Sequence, residues 1–401
     1  MNIKMPDDVK VIISKLTENG YEAYAVGGCV RDSIIRRVPG DWDITTSATP
    51  NEVKALFKRT IDTGIAHGTV TIMMGHEGYE VTTYRLDGEY EDNRHPKSVE
   101  FTSSLREDLR RRDFTINAMA YNDEAGMVDM FGGVEDLQNG IIRCVGNAKD
   151  RFTEDALRIL RAIRFSAQLG FGIEEDTCKA IKELSPNLAR ISKERIHTEL
   201  YKLLLSDNPD YINTAFELGI TKVILPEYDM VSDKNMVAQL LKALPKKIHF
   251  KYAALLMHLE APQAMKVLKG LKLDNDTIDK AGTLVKYHLM ELPLDEVTVR
   301  KALSIVDAEP LEDILTFEKK YYESFGKFDK AKLVNTTKAL MELIVSRGDC
   351  FRIKDLAING QDLIKVGVKP GKELGELLKK CLEIVIENPN KNTYENLINI
   401  R

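Results

Sequence analysis

Near the start of the chain, Val26-Gly27-Gly28-Cys29-Val30-Arg31-Asp32 runs on into Asp41-Trp42-Asp43. Two carboxylates this close repel one another unless cations sit between them. A pair of Mg2+ ions held by Asp41 and Asp43 can activate an attacking hydroxyl and neutralise the charge on a leaving pyrophosphate, which is metal-assisted phosphoryl chemistry. The glycine pair supplies the other half of such a site. Without side chains there, a phosphate can approach the backbone closely, and a helix behind it offers unpaired N–H groups and the positive end of its dipole to a triphosphate. Arg31 adds a forked cationic donor. Each half has a plainer reading, the glycines as an ordinary turn and the Asp-x-Asp as a solvated strand edge. Their joint occurrence at this spacing is what points to nucleotide chemistry.

These residues need a strand, a sharp turn and a helix to position them. Ala23–Val26 is apolar enough for a buried strand, Gly27-Gly28 breaks it, and residues 30–37 return to a helical mixture of apolar and charged side chains. Ile44, Thr45 and Thr46 predict a second strand that carries Asp41 and Asp43 on one face of a sheet. In this form the stretch resembles the catalytic motif of the nucleotidyltransferase superfamily, as used by class II tRNA CCA-adding enzymes and bacterial poly(A) polymerases. Arg36 departs from it, standing where members often have glycine, away from both carboxylates. The resemblance implies that Asp41 and Asp43 are the catalytic metal ligands, with Mg2+ as cofactor, and that Gly28 and Arg31 bind the nucleotide.

Further along, Gly68-Thr69-Val70-Thr71-Ile72-Met73-Met74 and residues 79–85 read as strands of an α/β head, and the polar residues 87–97 as a mobile loop. The family draws a third acidic residue from a strand placed like residues 79–85. Glu80 fits that position, and fits an exposed strand glutamate equally well. Arg111-Arg112-Asp113-Phe114-Thr115-Ile116-Asn117-Ala118 is either a charged helix start or, by resemblance, the family's second motif, in which arginine and aspartate bind the ribose; Arg112 is the residue assigned to it. Residues 129–137 resemble a third motif that braces the head against the helical remainder of the chain.

From about residue 150 the pattern becomes helix after helix. Thr153 predicts an N-cap, Glu154 and Asp155 a first turn, and Gly170 a C-terminal stop. At about 100° per residue, Ala156, Ile159, Leu160, Ile163 and Ala167 share one face, while Asp155, Arg158, Arg161 and Arg164 share another. Taken alone, the arginine row reads as a solvated face. The stretch 154–165 resembles the family's nucleotide-binding helix, which makes Asp155, Arg158, Arg161 and Arg164 nucleotide ligands. An ionised aspartate only accepts hydrogen bonds and an arginine only donates them. Cytosine and adenine each present an exocyclic amine beside a ring acceptor, whereas uracil and guanine present a carbonyl beside a ring N–H. Asp155 and Arg158 therefore match C and A. Farther on, His258 and His288 read as isolated core or surface histidines, so the phosphohydrolase domain of some relatives is not expected. The last part carries many lysines, from Lys319-Lys320 to Lys379-Lys380, and its glycine-bearing residues 358–375 resemble the tail of CCA-adding enzymes.

With 401 residues, 43% of them hydrophobic, the chain can build two to four domains with proper cores. No apolar run is long enough to cross a membrane, the first eight residues carry no signal core, and five scattered cysteines show neither a disulfide framework nor metal-ligand spacing. A cytoplasmic protein is expected. A net charge of -5 argues against wholesale coating of nucleic acid and leaves a local basic groove open. The expected fold is α+β: a nucleotidyltransferase α/β head with a mixed sheet over 1–145, followed by an all-α neck (146–205, binding the nucleotide base), body (206–320) and tail (321–401, binding tRNA). The resemblance implies template-independent addition of C, C and A to the tRNA 3′ end from CTP and ATP, with release of pyrophosphate. A poly(A) polymerase, an enzyme adding only C or only A, and a catalytically idle RNA-binding protein remain as alternatives. The retained Asp41, Asp43, Arg112, Asp155 and Arg158 speak against the last.

Overall fold

The computed structural model describes residues 2–87 and 99–400, so most of the polar loop expected at 87–97 lies outside the described residues. The chain forms two compact units, Met1–Met230 and Val231–Arg401.

The first unit is built on a seven-stranded sheet. Its strands are β1 (Ala23–Val26), β2 (Ile44–Thr46), β3 (Thr60–Gly64), β4 (Thr69–Met74) and β5 (Glu77–Thr83), then, after the β6 (Arg85–Asp87) and β7 (Val99–Phe101) hairpin, β8 (Met119–Asn122) and β9 (Gly126–Asp129). The order is β3-β4-β5-β2-β1-β8-β9. Only β2 and β5 run parallel within it, so the sheet is mixed, as expected. β1 lies near the middle, and its Ala23, Ala25 and Val26 are fully buried, which is why this strand reads as a short apolar run rather than an alternation.

The helices of this unit are α1 (Asp7–Glu18), α2 (Gly28–Ile34), α3 (Pro50–Leu56), α4 (Leu105–Arg110), α5 (Gly133–Asn139), α6 (Ala148–Glu154), α7 (Leu157–Leu169), α8 (Glu175–Leu184) and α9 (Lys193–Leu204), followed by the short α10 (Ile212–Glu217), α11 (Thr221–Ile224) and α12 (Pro226–Asp229). Gly27, at φ 82, turns the chain out of β1 and straight into α2. That helix starts two residues earlier than the sequence pattern suggests and stops at Ile34. Arg36 then adopts φ 58, a left-handed conformation that costs an L-residue strain and cannot continue a helix. This is the position at which members of the family often carry glycine, and the conformation is one glycine adopts freely.

Residues 129–137 brace the head. The Asp129 carboxylate accepts from the backbone N–H groups of Phe131, Gly133 and Val134. A Cβ on Gly133 would stand 2.3 Å from the Thr115 carbonyl oxygen, so only glycine fits. Asp136 in turn receives the Thr115 hydroxyl and the Arg143 guanidinium.

The helix expected from Thr153 is two helices. Asn147, not Thr153, caps the first, accepting from the N–H of Lys149 and Asp150. Asp155 ends α6 in an extended conformation (φ -139, ψ 103), and its Oδ1 accepts from Leu157 N at 3.0 Å to start α7. Aspartate competes for local backbone donors and favours such caps over a helix interior. The helix closes at Gly170 (φ 73), as expected, and Ile159, Leu160, Ile163 and Ala167 are buried on its inner face. Strands do not cease at residue 150: Gly172–Ile173 pairs in parallel with Ile141–Ile142.

The second unit is helical. One core lies among the helices Glu296–Val306, Ala308–Ser324 and Phe328–Arg347, and a smaller one, around Cys350, Leu363, Cys381 and Leu397, holds the C-terminal helices. Among the described residues no helix is long and apolar enough to cross a membrane.

Candidate active site

The turn after β1, the residues entering β2, the end of α4 and the inner sides of α7 and α9 enclose one cleft of about 480 Å3. All nine residues singled out from the sequence line it: Gly28, Arg31, Asp41, Asp43, Arg112, Asp155, Arg158, Arg161 and Arg164. Arg111, Asp113, Asn117, Phe165, Arg195 and Lys202 join them. Eight lining side chains are cationic and four are acidic, an excess suited to a polyanion in a partly dry site.

The acidic end holds Asp41 and Asp43. Both precede β2 rather than lying within it, although the ladder reaches Asp43, whose carbonyl accepts from Val26 N at 3.0 Å. Neither carboxylate makes a hydrogen bond or ion pair among the described residues. Asp43 opens onto the cleft, yet the protein around it and then the Asp41 charge, with a smaller push from Glu80, outweigh Arg112 and raise its pKa to about 6. Glu80 owes its influence to register: Ile44 pairs with Val81, so Asp43 and Glu80 each stand one residue before that pair on parallel strands. No three acidic, histidine or cysteine side chains among the described residues converge into a metal cage. Two unpaired carboxylates, one destabilised by its neighbour, nonetheless fit a divalent cation of the kind that binds through one or two carboxylates and completes its shell with substrate phosphates.

The basic side is a network. Arg31 donates through Nη1 to Asn117 Oδ1 at 2.7 Å and through Nε to Asp32 at 2.9 Å. Asn117 also donates to Asp113, which receives Arg161 Nε at 2.7 Å. Burial alone would push the Asp113 carboxyl up; Arg161 and these hydrogen bonds outweigh it and hold it at about 2. Arg112 explains the first glycine: its Nη1 lies 3.1 Å from where a Gly27 Cβ would stand. The face of the Phe165 ring lies 5.0, 5.3 and 3.9 Å from the guanidinium carbons of Arg31, Arg161 and Arg164, holding three like charges over one aromatic ring.

The row on α7 is therefore not a solvated face. Arg164 is only 7% exposed and stands 2.6 Å from Glu199 as an ion pair without hydrogen-bond alignment. Arg158 binds Glu154 at 2.6 Å and the Arg111 carbonyl at 3.1 Å. Asp155 is held by Arg195 Nη2 at 2.8 Å. A carboxylate has about four acceptor sites, so Asp155, which accepts from Leu157 N and from Arg195, keeps acceptor capacity for a ligand. Sequence reasoning missed α9. Arg195, Glu199 and Lys202 fall at i, i+4 and i+7, one helical face, and that spacing was the available signal.

Comparison with known proteins agrees with this geometry. A family profile described as "Poly A polymerase head domain" matches residues 23–143, one described as "Probable RNA and SrmB-binding site of polymerase A" matches 170–231, and one for tRNA nucleotidyltransferase domain 2 matches 245–400. The chain is 38% identical to the CCA-adding enzyme of Lactiplantibacillus plantarum, over 97% of this chain and 94% of that protein. It is 37% identical to the CCA-adding enzyme of Ligilactobacillus salivarius, over 96% and 97%. The solved structure of the Bacillus stearothermophilus CCA-adding enzyme in complex with CTP superposes with a TM-score of 0.81 at 33% identity, covering 98% of this chain and 96% of that one. With a nucleotidyltransferase head, a helical remainder and full-length similarity of this order, the chain belongs to the family of CCA-adding enzymes.

Proposed function

We propose that this cleft adds C, C and A in turn to the 3′ end of tRNA, taking CTP and ATP and releasing pyrophosphate. The observation that carries the reading is the gathering, in one cleft, of two unpaired carboxylates, the phosphate-accepting turn at Gly27-Gly28 and the Asp155–Arg158 pair. Asp41 and Asp43 would hold the divalent ion, Mg2+ in this reading. When bound, it supplies activation of the attacking hydroxyl and charge neutralisation on the leaving pyrophosphate. The chain's own residues do the rest. Arg31 and the start of α2 receive the triphosphate, and Arg112 with Asp113 takes the ribose. Asp155 accepts the exocyclic amine of cytosine or adenine while Arg158 donates to the neighbouring ring acceptor. Arg161 and Arg164 complete the cationic wall. The lysines of the last eighty or so residues are assigned to tRNA phosphates. Five free cysteines, four of them buried, suit a reducing compartment and so the cytoplasm.

The test is incubation with tRNA lacking its 3′ CCA and each nucleoside triphosphate in turn, with the added nucleotides read out. Two C residues from CTP, followed by one A once ATP is supplied, is the expected result. A run of A, or no addition, contradicts the reading.

A further inference from the structure

The most deeply buried acid of the first unit is one to which the reaction assigns no step. Asp108, on α4, has 0% exposure. Burial pushes its carboxyl up, but Arg112 and Arg111 outweigh that and keep it below the usual carboxylate range. Its two oxygens serve three partners. Oδ1 accepts from Arg111 Nε at 3.0 Å and Nη2 at 2.8 Å. Oδ2 accepts from Thr45 Oγ1 at 3.1 Å and from Arg112 Nη2 at 3.4 Å.

Two of the partners adjoin the cleft chemistry. Thr45, fully buried, sits in β2 two residues after Asp43. Arg112 lines the cleft and reaches over Gly27. Among the described residues its Nε is buried without a hydrogen-bond partner, and the head group is met by the Asp108 contact and by the space that Gly27 leaves. One carboxylate thus links the strand that follows the metal-binding pair to the arginine assigned to the sugar.

We propose that Asp108 is a positioning residue: a buried anionic strut that fixes Arg112 relative to the strand that follows Asp43 and thereby sets the preference for ribonucleotides over deoxyribonucleotides. This rests on the assignment of Arg112 to the ribose. The carboxylate of Asp108 is engaged by Thr45, Arg111 and Arg112, none of which is assigned to the base, so its loss leaves the choice of C and A over U and G in place. A residue that merely kept the fold would lower all of these together.

The experiment measures kcat/KM for CTP, dCTP and UTP on tRNA lacking CCA, with the full-length wild type, Asp108→Asn and Arg112→Lys. Both variants are expected to lower the CTP/dCTP ratio by about tenfold, mainly through the KM for CTP, with an unchanged CTP/UTP ratio; that is the size of one charge-assisted hydrogen bond. Loss of sugar discrimination in Arg112→Lys but not in Asp108→Asn overturns the strut. Unchanged discrimination in Arg112→Lys overturns the ribose assignment itself, and the strut's role with it. If Asp108→Asn does not accumulate as folded protein, Thr45→Val removes one of the three partners without touching a charge. A loss of about two- to threefold in the CTP/dCTP ratio then supports the strut, and an unchanged ratio overturns it.

Discussion

Asp108 in the first unit and Glu318 in the second are both at 0% exposure, and their carboxyls are displaced in opposite directions. Asp108 is held below the usual range by Arg111 and Arg112, against the push of burial. Among the described residues neither oxygen of Glu318 is hydrogen-bonded, and burial, opposed by Lys330, raises it to about 8. The difference lies in the partners. In the first unit Asp108, Asp113 and Glu199 are matched to arginines that line the cleft, so the cost of burying charge is offset and the guanidinium groups are held in place. In the second unit a buried acid stays protonated and fills a helical core. Burial of an ionisable group therefore does not mark a site; convergence of paired groups on one cavity does.

The largest effect should come from Asp41 and Asp43, the two cleft carboxylates without a partner among the described residues. Asp41→Asn and Asp43→Asn are each expected to stop C and A addition together, by on the order of a thousandfold or more, as the proposed single metal site serving every cycle requires. Circular dichroism should show an unchanged fold. A variant that loses only one of the two additions would show that C and A are added at separate sites.

A smaller effect is expected from the C-terminal lysines. Removing everything after about residue 330 would cut Val334, Met341 and Ile344 out of a core and say little about tRNA. Replacing Lys369, Lys372 and Lys379 with Gln keeps that core. tRNA affinity should fall on the order of tenfold, and the salt slope should flatten by up to about 0.9 for each phosphate no longer neutralised, with the KM for CTP unchanged. Equal affinity and slope would mean that these lysines face solvent only.

The smallest effect concerns the protonated acid of the helical core. Between about pH 4.5 and 8 the folded chain binds a proton at Glu318 that the unfolded chain has released. This group therefore lowers stability as pH rises, by about 1.4 kcal/mol per pH unit at most. Glu318→Gln should remove the decline, seen as a smaller drop in melting temperature from pH 6 to pH 7.5. The range stops below 8 because burial brings Lys251 down to about 8, and its contribution has the opposite sign. An identical pH dependence in the variant would show that Glu318 is not protonated when folded.

Much of this was legible in the sequence because it is local. A strand, a glycine turn and an Asp-x-Asp at fixed spacing lie within some twenty residues, and the rows of α7 follow one helical period. The break at Asp155 was not, because an aspartate that caps a new helix and one in a first turn look alike when both sides are helical. Nor were Arg195 on Asp155, Glu199 on Arg164 and Asp108 on Thr45, whose partners are 40, 35 and 63 residues apart and meet only through the fold. Arg36 shows the reverse: a departure visible in the sequence acquires its meaning from a φ of 58.

If the cleft reads the base through Asp155 and Arg158 while a separate pair of carboxylates carries the chemistry, the two functions must come apart in one protein. The most direct test is the double variant Asp155→Asn with Arg158→Gln, assayed with CTP, ATP, UTP and GTP on tRNA lacking CCA, alongside metal affinity by calorimetry. Exchanging acceptor for donor should raise UTP and GTP incorporation relative to CTP and ATP by about tenfold or more, since a bidentate match is worth about 1–3 kcal/mol, with metal affinity unchanged. Strict C and A incorporation at near-normal rate would mean that α7 does not read the base.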